Sequence, residues 1–199
     1  MFNTDKLESV LYEEGKTGFR KIIEDKGEGL YVIGLYHYGG WDGVIPLFNT
    51  VSDWLALQKN IQADDQKEHE LNVKWGANYP GLEQYMEYFK QSYTEVQQLG
   101  LRCGESVEEL QLHWQQTLDA MQRALVRLDK EGVFSQGVDR HNLTVYISNY
   151  DEDFEDGFKR VKNMNPKSVI DKVGPEFEYL IALHAKWNEE ILAEILKGE

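Results

Sequence analysis

The chain reads as an α+β protein: a small, mostly antiparallel sheet of three to five strands packed with several helices, the last of them long. Three observations predict this. Leu30 to Tyr38 reads LYVIGLYHY, a run of aromatic and β-branched residues with strand character. A second apolar run, Val44 to Asn49, follows at hairpin distance, which argues against strict alternation of strands and helices. Most of the remaining chain carries apolar residues at three- and four-residue spacing, the period of amphipathic helices.

Thr4 is a candidate N-cap for a first helix through about residue 24, in which Leu7, Val10, Leu11, Phe19, Ile22 and Ile23 recur at three- and four-residue spacing. Gly15 and Gly18 weaken that helix, and Gly27 and Gly29 stop it. Gly39-Gly40-Trp41-Asp42-Gly43 makes the turn between the two strand runs, and Pro46, without an amide hydrogen, places the second strand at an edge or on a bulge. Thr50 or Ser52 caps a helix bearing Val51, Trp54, Leu55 and Leu57, and the polar run Ala63 to Glu68 is expected to be exposed. Leu71, Val73 and Trp75 alternate with polar neighbours and predict a short half-buried strand, with a helical turn as the competing reading.

Tyr79-Pro80-Gly81 marks a turn before a helix from about Leu82 to Leu99. Ser106-Val107-Glu108-Glu109 has the pattern of a capping box and opens a longer helix to Lys130, ended by Gly132. Leu143 to Ser148 is a further strand. An acidic stretch, Asp151 to Asp156, then leads to a short helix ending near Met164. Asn165-Pro166 turns the chain, and the last helix is expected to begin near Pro175 and run to about Leu196. No Pro/Ser-rich linker divides the 199 residues, so one domain is expected.

Charge is the most unusual bulk property: 35 acidic against 21 basic residues give a formal net charge of -14. Such a surface repels phosphate backbones and anionic lipid, and no basic patch is visible in the sequence to oppose that field, so neither nucleic acid nor membrane is expected as a partner. The N-terminus lacks the basic-then-apolar pattern of a secretory signal, and no apolar run approaches the roughly 20 residues of a membrane span, so the cytoplasm is the expected compartment. Cys103 is the only cysteine, which excludes a disulfide within the chain, and it reads as a small semi-buried residue.

The chemistry-bearing motifs are absent. The five histidines, His37, His69, His113, His141 and His184, stand in no metal-ligand spacing, and the glycine patterns of nucleophile elbows, dinucleotide sites and phosphate loops do not occur. No cofactor or metal is expected, and His37 reads as a packed strand histidine. Asp151-Glu152-Asp153-Phe154-Glu155-Asp156-Gly157 departs from a calcium loop, lacking the glycine at position six and the glutamate at position twelve. It reads as a solvated acidic loop, or as a docking surface in which Asp151, Asp153, Glu155 and Asp156 steer a basic partner and Phe154 anchors it. Trp41 and Asp42 in the hairpin turn, and Asp64 and Asp65 in the second acidic run, are the alternative partner-binding residues.

Several stretches in order resemble a bacterial family known as domain of unknown function 4303. They are Leu30 to Thr50 with its Pro46-Leu47-Phe48-Asn49 segment, the Lys74-Trp75 step, Leu128-Asp129-Lys130-Glu131-Gly132, and Thr144 to Ser148 leading through acids to Met164-Asn165-Pro166. The resemblance covers roughly Leu30 to Val173 and implies a compact α+β domain, with no catalytic residues to carry over. In size and charge such proteins are similar to immunity proteins encoded beside bacterial toxins. The helix from Pro175 to Leu196 departs from the family pattern and offers a surface for oligomerisation or a partner. The function expected is therefore that of a non-catalytic acidic binding protein, an immunity protein that occludes a basic toxin domain. Two other readings compete with it. One is a small hydrolase or transferase with a non-contiguous active site, which a deep cleft holding a desolvated histidine or carboxylate would favour; the other is a regulatory or scaffold module.

Overall fold

The computed structural model describes residues 3–38, 43–59, 66–75, 82–102, 106–149, 152–195 and 197. Helix α1 (Asp5–Lys26) leads into strands β1 (Leu30–Tyr38) and β2 (Gly43–Thr50), then α2 (Val51–Gln58) and α3 (Gln66–Trp75). A 3-10 helix over Leu82–Phe89 continues into α4 (Lys90–Gly100), followed by the long α5 (Val107–Lys130), β3 (Thr144–Asn149), α6 (Phe154–Met164) and α7 (Lys167–Ile195).

The sheet has the order β2-β1-β3, with β1 antiparallel to β2 and parallel to β3. It is thus mixed rather than mostly antiparallel, because the long helical connection from β2 to β3 crosses over and sets β3 down in the direction of β1. Pro46 does lie on an edge strand, where its missing donor is tolerated. The parallel pair approaches very closely at Gly34: a Cβ there would lie 1.8 Å from the Tyr146 carbonyl oxygen, so only glycine fits. The free edge of β3 is closed by a side chain. Asn165 accepts from the Val145 amide at 2.8 Å and donates to the Val145 carbonyl at 2.7 Å, satisfying the two backbone groups that a further strand would otherwise pair.

Both faces of the sheet are covered. Ile33, Leu35, Val44, Phe48, Val145 and Ile147 point into the larger core, against α1, the 3-10 helix, α4 and α5. Val32, Leu47 and Tyr146 point the other way, onto Trp75 of α3, Phe158 and Val161 of α6, and Phe177 of α7. This alternation follows from the two-residue period of a strand, and it makes β1 apolar on both sides, as its sequence predicts. The glycines read as weak points of α1 are contact points instead. A Cβ on Gly15 would lie 2.6 Å from Leu128 and one on Gly18 2.5 Å from Phe89, so they let α1 settle against α5 and the 3-10 helix.

Three elements differ from the sequence reading. Residues 66–75 are helical rather than extended: Leu71 and Trp75 are buried four residues apart on one helical face while Val73 is half-exposed. The helix expected over Leu82 to Leu99 changes character at Phe89, and α4 starts afresh with its free amides bonded by another helix. Glu14 of α1 accepts from the Gln91 and Ser92 amides, each at 2.9 Å. Finally, α7 begins at Lys167 and carries Pro175 inside it, because Val169 and Val173 on the earlier turns are buried against the smaller core and offset the backbone bond that proline removes. Two of the expected caps form, Thr50 accepting from the Asp53 amide and Ser106 from the Glu109 amide, whereas the Thr4 side chain makes no cap bond to α1 and Asn3 accepts from the Asp5 amide instead.

Replacing Gly34 by alanine is expected to cost about 3 kcal/mol, since the new methyl must push two hydrogen-bonded strands apart. Leu118→Ala, in the buried face of α5, should cost about 2–5 kcal/mol. Urea unfolding of both variants against wild type measures the two losses.

Candidate functional site

A cleft of about 350 Å³ opens at the carboxyl ends of β1 and β3, between α3, the first turn of α6, and α7. Parallel strands leave their ligand sites at this end, where the loops diverge. Strand register brings in the first two walls: Tyr36 pairs with Ser148 two residues beyond the Gly34–Tyr146 approach. Tyr146 is buried, and burial holds its phenolic proton well above the usual tyrosine range against the opposing bond with Ser148. Its ring meets the edge of Trp75 at 5.8 Å.

Trp75 owes its position to a polar clamp at the end of α3. Its indole nitrogen donates to Glu176 of α7 at 2.9 Å, and the same carboxylate takes the Lys74 ammonium at 2.6 and 2.8 Å. That ammonium lies 5.1 Å from the Trp54 ring, 5.2 Å from Trp75 and 5.8 Å from Tyr31, so an internal lysine fills a box of three aromatic rings and one carboxylate. Tyr31 is fixed in turn, donating to the Lys74 carbonyl at 2.8 Å and accepting from Asn49 at 2.9 Å.

The opposite wall is the start of α6. Asp153 is its N-cap, accepting from the Asp156 amide at 2.9 Å, so the stretch read as a solvated loop is the opening turn of a helix. Phe154 is half-buried and meets His184 of α7 edge-on at 4.6 Å. Glu152 is buried, its side chain 5% exposed, and accepts from Arg160 at 2.9 Å, while Arg160 also bonds Asp119 of α5 at 2.9 Å. Burial pushes the Glu152 carboxyl above its usual range, outweighing the pull of Arg160. Burial also works against the charge on Arg160, but its bonds to Glu152 and Asp119 outweigh that and raise it.

The partner-binding residues named from sequence therefore divide. Asp153 and Phe154 line the cleft, whereas Glu155 and Asp156 are exposed beside it and pair with Lys159 at 3.1 and 2.8 Å. Asp151, Trp41, Asp42, Asp64 and Asp65 lie outside the described residues, as does Cys103. Sequence reasoning missed Tyr36, Trp75, Tyr146, Glu152 and His184 as members of one site. Glu152 carried a usable signal, an arginine eight residues on across a helix start; the aromatics read only as core.

His37 is fully buried on the central strand, in keeping with a packed histidine. Among the described residues no group of three or more His, Cys, Asp or Glu is placed to hold a metal, and no helix is long and apolar enough to cross a membrane.

A mixed three-stranded sheet held between helical layers, with a cleft where its parallel strands end, defines the α+β class of this molecule. The model of the family described as Domain of unknown function (DUF4303) matches residues 11–166, and the chain belongs to that family. The match begins within α1, earlier than the strand motifs alone indicated, and ends at Pro166, leaving α7 beyond it. No curated protein and no solved structure matches the chain.

Arg160→Met is expected to cost about 3–5 kcal/mol at neutral pH by leaving Glu152 buried without its partner. The folded state then favours the neutral carboxyl even more strongly than wild type does. Stability from such a raised group is present below the ordinary value of 4.5 and is lost as pH rises through the folded value. The penalty of the variant should accordingly be smallest at acidic pH and grow on neutralisation, which denaturant midpoints across pH 4 to 8 would follow.

Proposed function

We propose that this protein is a non-catalytic acidic binding protein that docks a basic protein partner on the first turn of α6 and the adjoining cleft, in the manner of an immunity protein occluding a toxin domain in the cytoplasm. The observation that carries the reading is the conjunction at one place of exposed carboxylates and a half-buried aromatic. Asp153, Glu155 and Asp156 stand exposed around Phe154, at the mouth of a concave site, on a chain of net charge -14. Exposed charge of one sign accelerates encounter with a cationic partner, and a ring beside a cavity supplies the apolar anchor that slows its departure.

A second reading has one specific support. The cleft contains the desolvated carboxyl of Glu152, the feature expected of a small hydrolase or transferase. Against it, one Glu152 oxygen is committed to Arg160, and the Ser148 hydroxyl faces the Tyr146 phenol.

The test begins with capture of the partner from the native host. Neutralising the exposed pair, Glu155→Gln with Asp156→Asn, should slow association about two- to fivefold and flatten its salt dependence. Stability should move by no more than about 0.5 kcal/mol, because both acids pair with Lys159 in solvent. Phe154→Ala should instead raise the dissociation rate about tenfold. Rate constants equal to wild type for both variants would remove this face from consideration.

A further inference from the structure

Among the described residues that line the cleft are five rings, Tyr36, Trp75, Tyr146, Phe154 and His184, and two carboxylates, Glu152 and Asp153, but neither lysine nor arginine. Among the described residues the same combination of ring and carboxylate is found elsewhere around cations of the chain itself. Lys74 sits among Tyr31, Trp54 and Trp75 with Glu176. Arg127 lies 3.4 Å from the centre of the Tyr12 ring, and the Tyr12 hydroxyl donates to Glu131, which in turn faces Arg127 at 3.8 Å. Trp75 belongs both to the lysine box and to the cleft wall, so the two sites share a side chain.

Resting on the proposed function, we infer that the cleft receives an arginine side chain of the basic partner, its guanidinium lying against the aromatic walls and bonded at Asp153 and Glu152. Guanidinium is favoured over ammonium on physical grounds. It is planar and weakly hydrated, so it loses less on leaving water and can stack on a ring while its edge donates to a carboxylate. Glu152 is held by Arg160 through one oxygen, and its other oxygen lies beside Gly157, a lining residue. The occupant is a residue within a peptide rather than free arginine, because the free amino acid brings a carboxylate into a site whose charged lining, among the described residues, is Glu152 and Asp153.

Two variants test this without dismantling the fold. Asp153→Asn removes a charge but keeps a good N-cap. Gly157→Ala narrows the cleft with a methyl that, among the described residues beyond its own helix backbone, meets Glu152 Oε2 at an ordinary 3.8 Å, and it adds helix propensity to α6. Wild type and both variants would be titrated with N-acetyl-arginine methylamide, its lysine and citrulline counterparts, and free L-arginine, following the Trp75 indole N–H by NMR.

The blocked arginine should shift that signal saturably in wild type, with the neutral isostere citrulline about tenfold weaker and the lysine compound intermediate. Asp153→Asn should weaken the arginine compound about threefold and leave citrulline unchanged. Gly157→Ala should weaken it while raising thermal stability. Citrulline or lysine binding as well as arginine would overturn the inference, as would either variant binding like wild type. Free L-arginine binding more tightly than the blocked form would overturn the choice of a peptide-borne occupant. If no probe binds while the Glu155 and Asp156 substitutions still slow partner association, the inference fails and the docking reading stands; slowed association is thus the readout that separates the two.

Discussion

The approach of β1 to β3 at Gly34 is the constraint on which the rest of this structure depends. With no side chain at that position the Tyr146 carbonyl can come within a distance that any Cβ would forbid, and the parallel pair forms. That pairing brings the carboxyl ends of two strands side by side, sets Tyr36 next to Ser148, and so creates the base of the cleft. It also leaves β3 at an edge, and the polar groups of that edge have to be satisfied. Asn165 does this, and Arg140 fixes the arrangement: its guanidinium bonds Asp129 at 2.7 and 2.9 Å, the Leu143 carbonyl at 2.6 Å, and the Met164 carbonyl at 3.0 Å. Three of the sequence stretches that carry the family resemblance, around Asp129, Thr144 and Asn165, thus meet at one clamp.

The acids of this chain do separate jobs, which their number alone conceals. Glu14 caps the start of α4, Glu176 positions an indole and a lysine, Glu152 and Asp119 hold a buried arginine, and Asp153 caps α6. Glu155 and Asp156 differ from these: they are exposed charges beside the cleft, paired with a solvent-facing lysine. An ion pair of that kind contributes little to stability. Its carboxylates are available for electrostatic steering, while the buried acids shape the cleft those charges surround.

Much of the framework was legible in the sequence because it rests on local rules. The β1 run, the edge strand marked by Pro46, and the Ser106 cap of α5 each follow from neighbours a few residues apart. What was hidden depended on distant partners. Leu71, Val73 and Trp75 alternate like a strand, yet Trp75 is held by Glu176 about a hundred residues away and the segment is helical. Pro175 looked like a helix start because the burial of Val169 and Val173 on the turns before it is a tertiary fact. The cleft is hidden for the same reason: Tyr36, Trp75, Tyr146 and His184 sit on four elements, and nothing in the spacing of these residues along the chain links them. The acidic turn of α6 with Phe154 could be named from sequence because it is contiguous, as could Trp41-Asp42 and Asp64-Asp65, which lie outside the described residues.

On the proposed reading the functional face is the end where β1 and β3 finish, rather than the extensive acidic surface as a whole. Hydrogen exchange on the chain alone and in complex with the partner captured from its host tests that assignment directly. The account predicts new protection confined to residues 146–158, the end of α3, and α7 near His184, with α1 and α5 exchanging as they do in the free protein. Protection centred on α1 or α5, with the first turn of α6 unchanged, would contradict it.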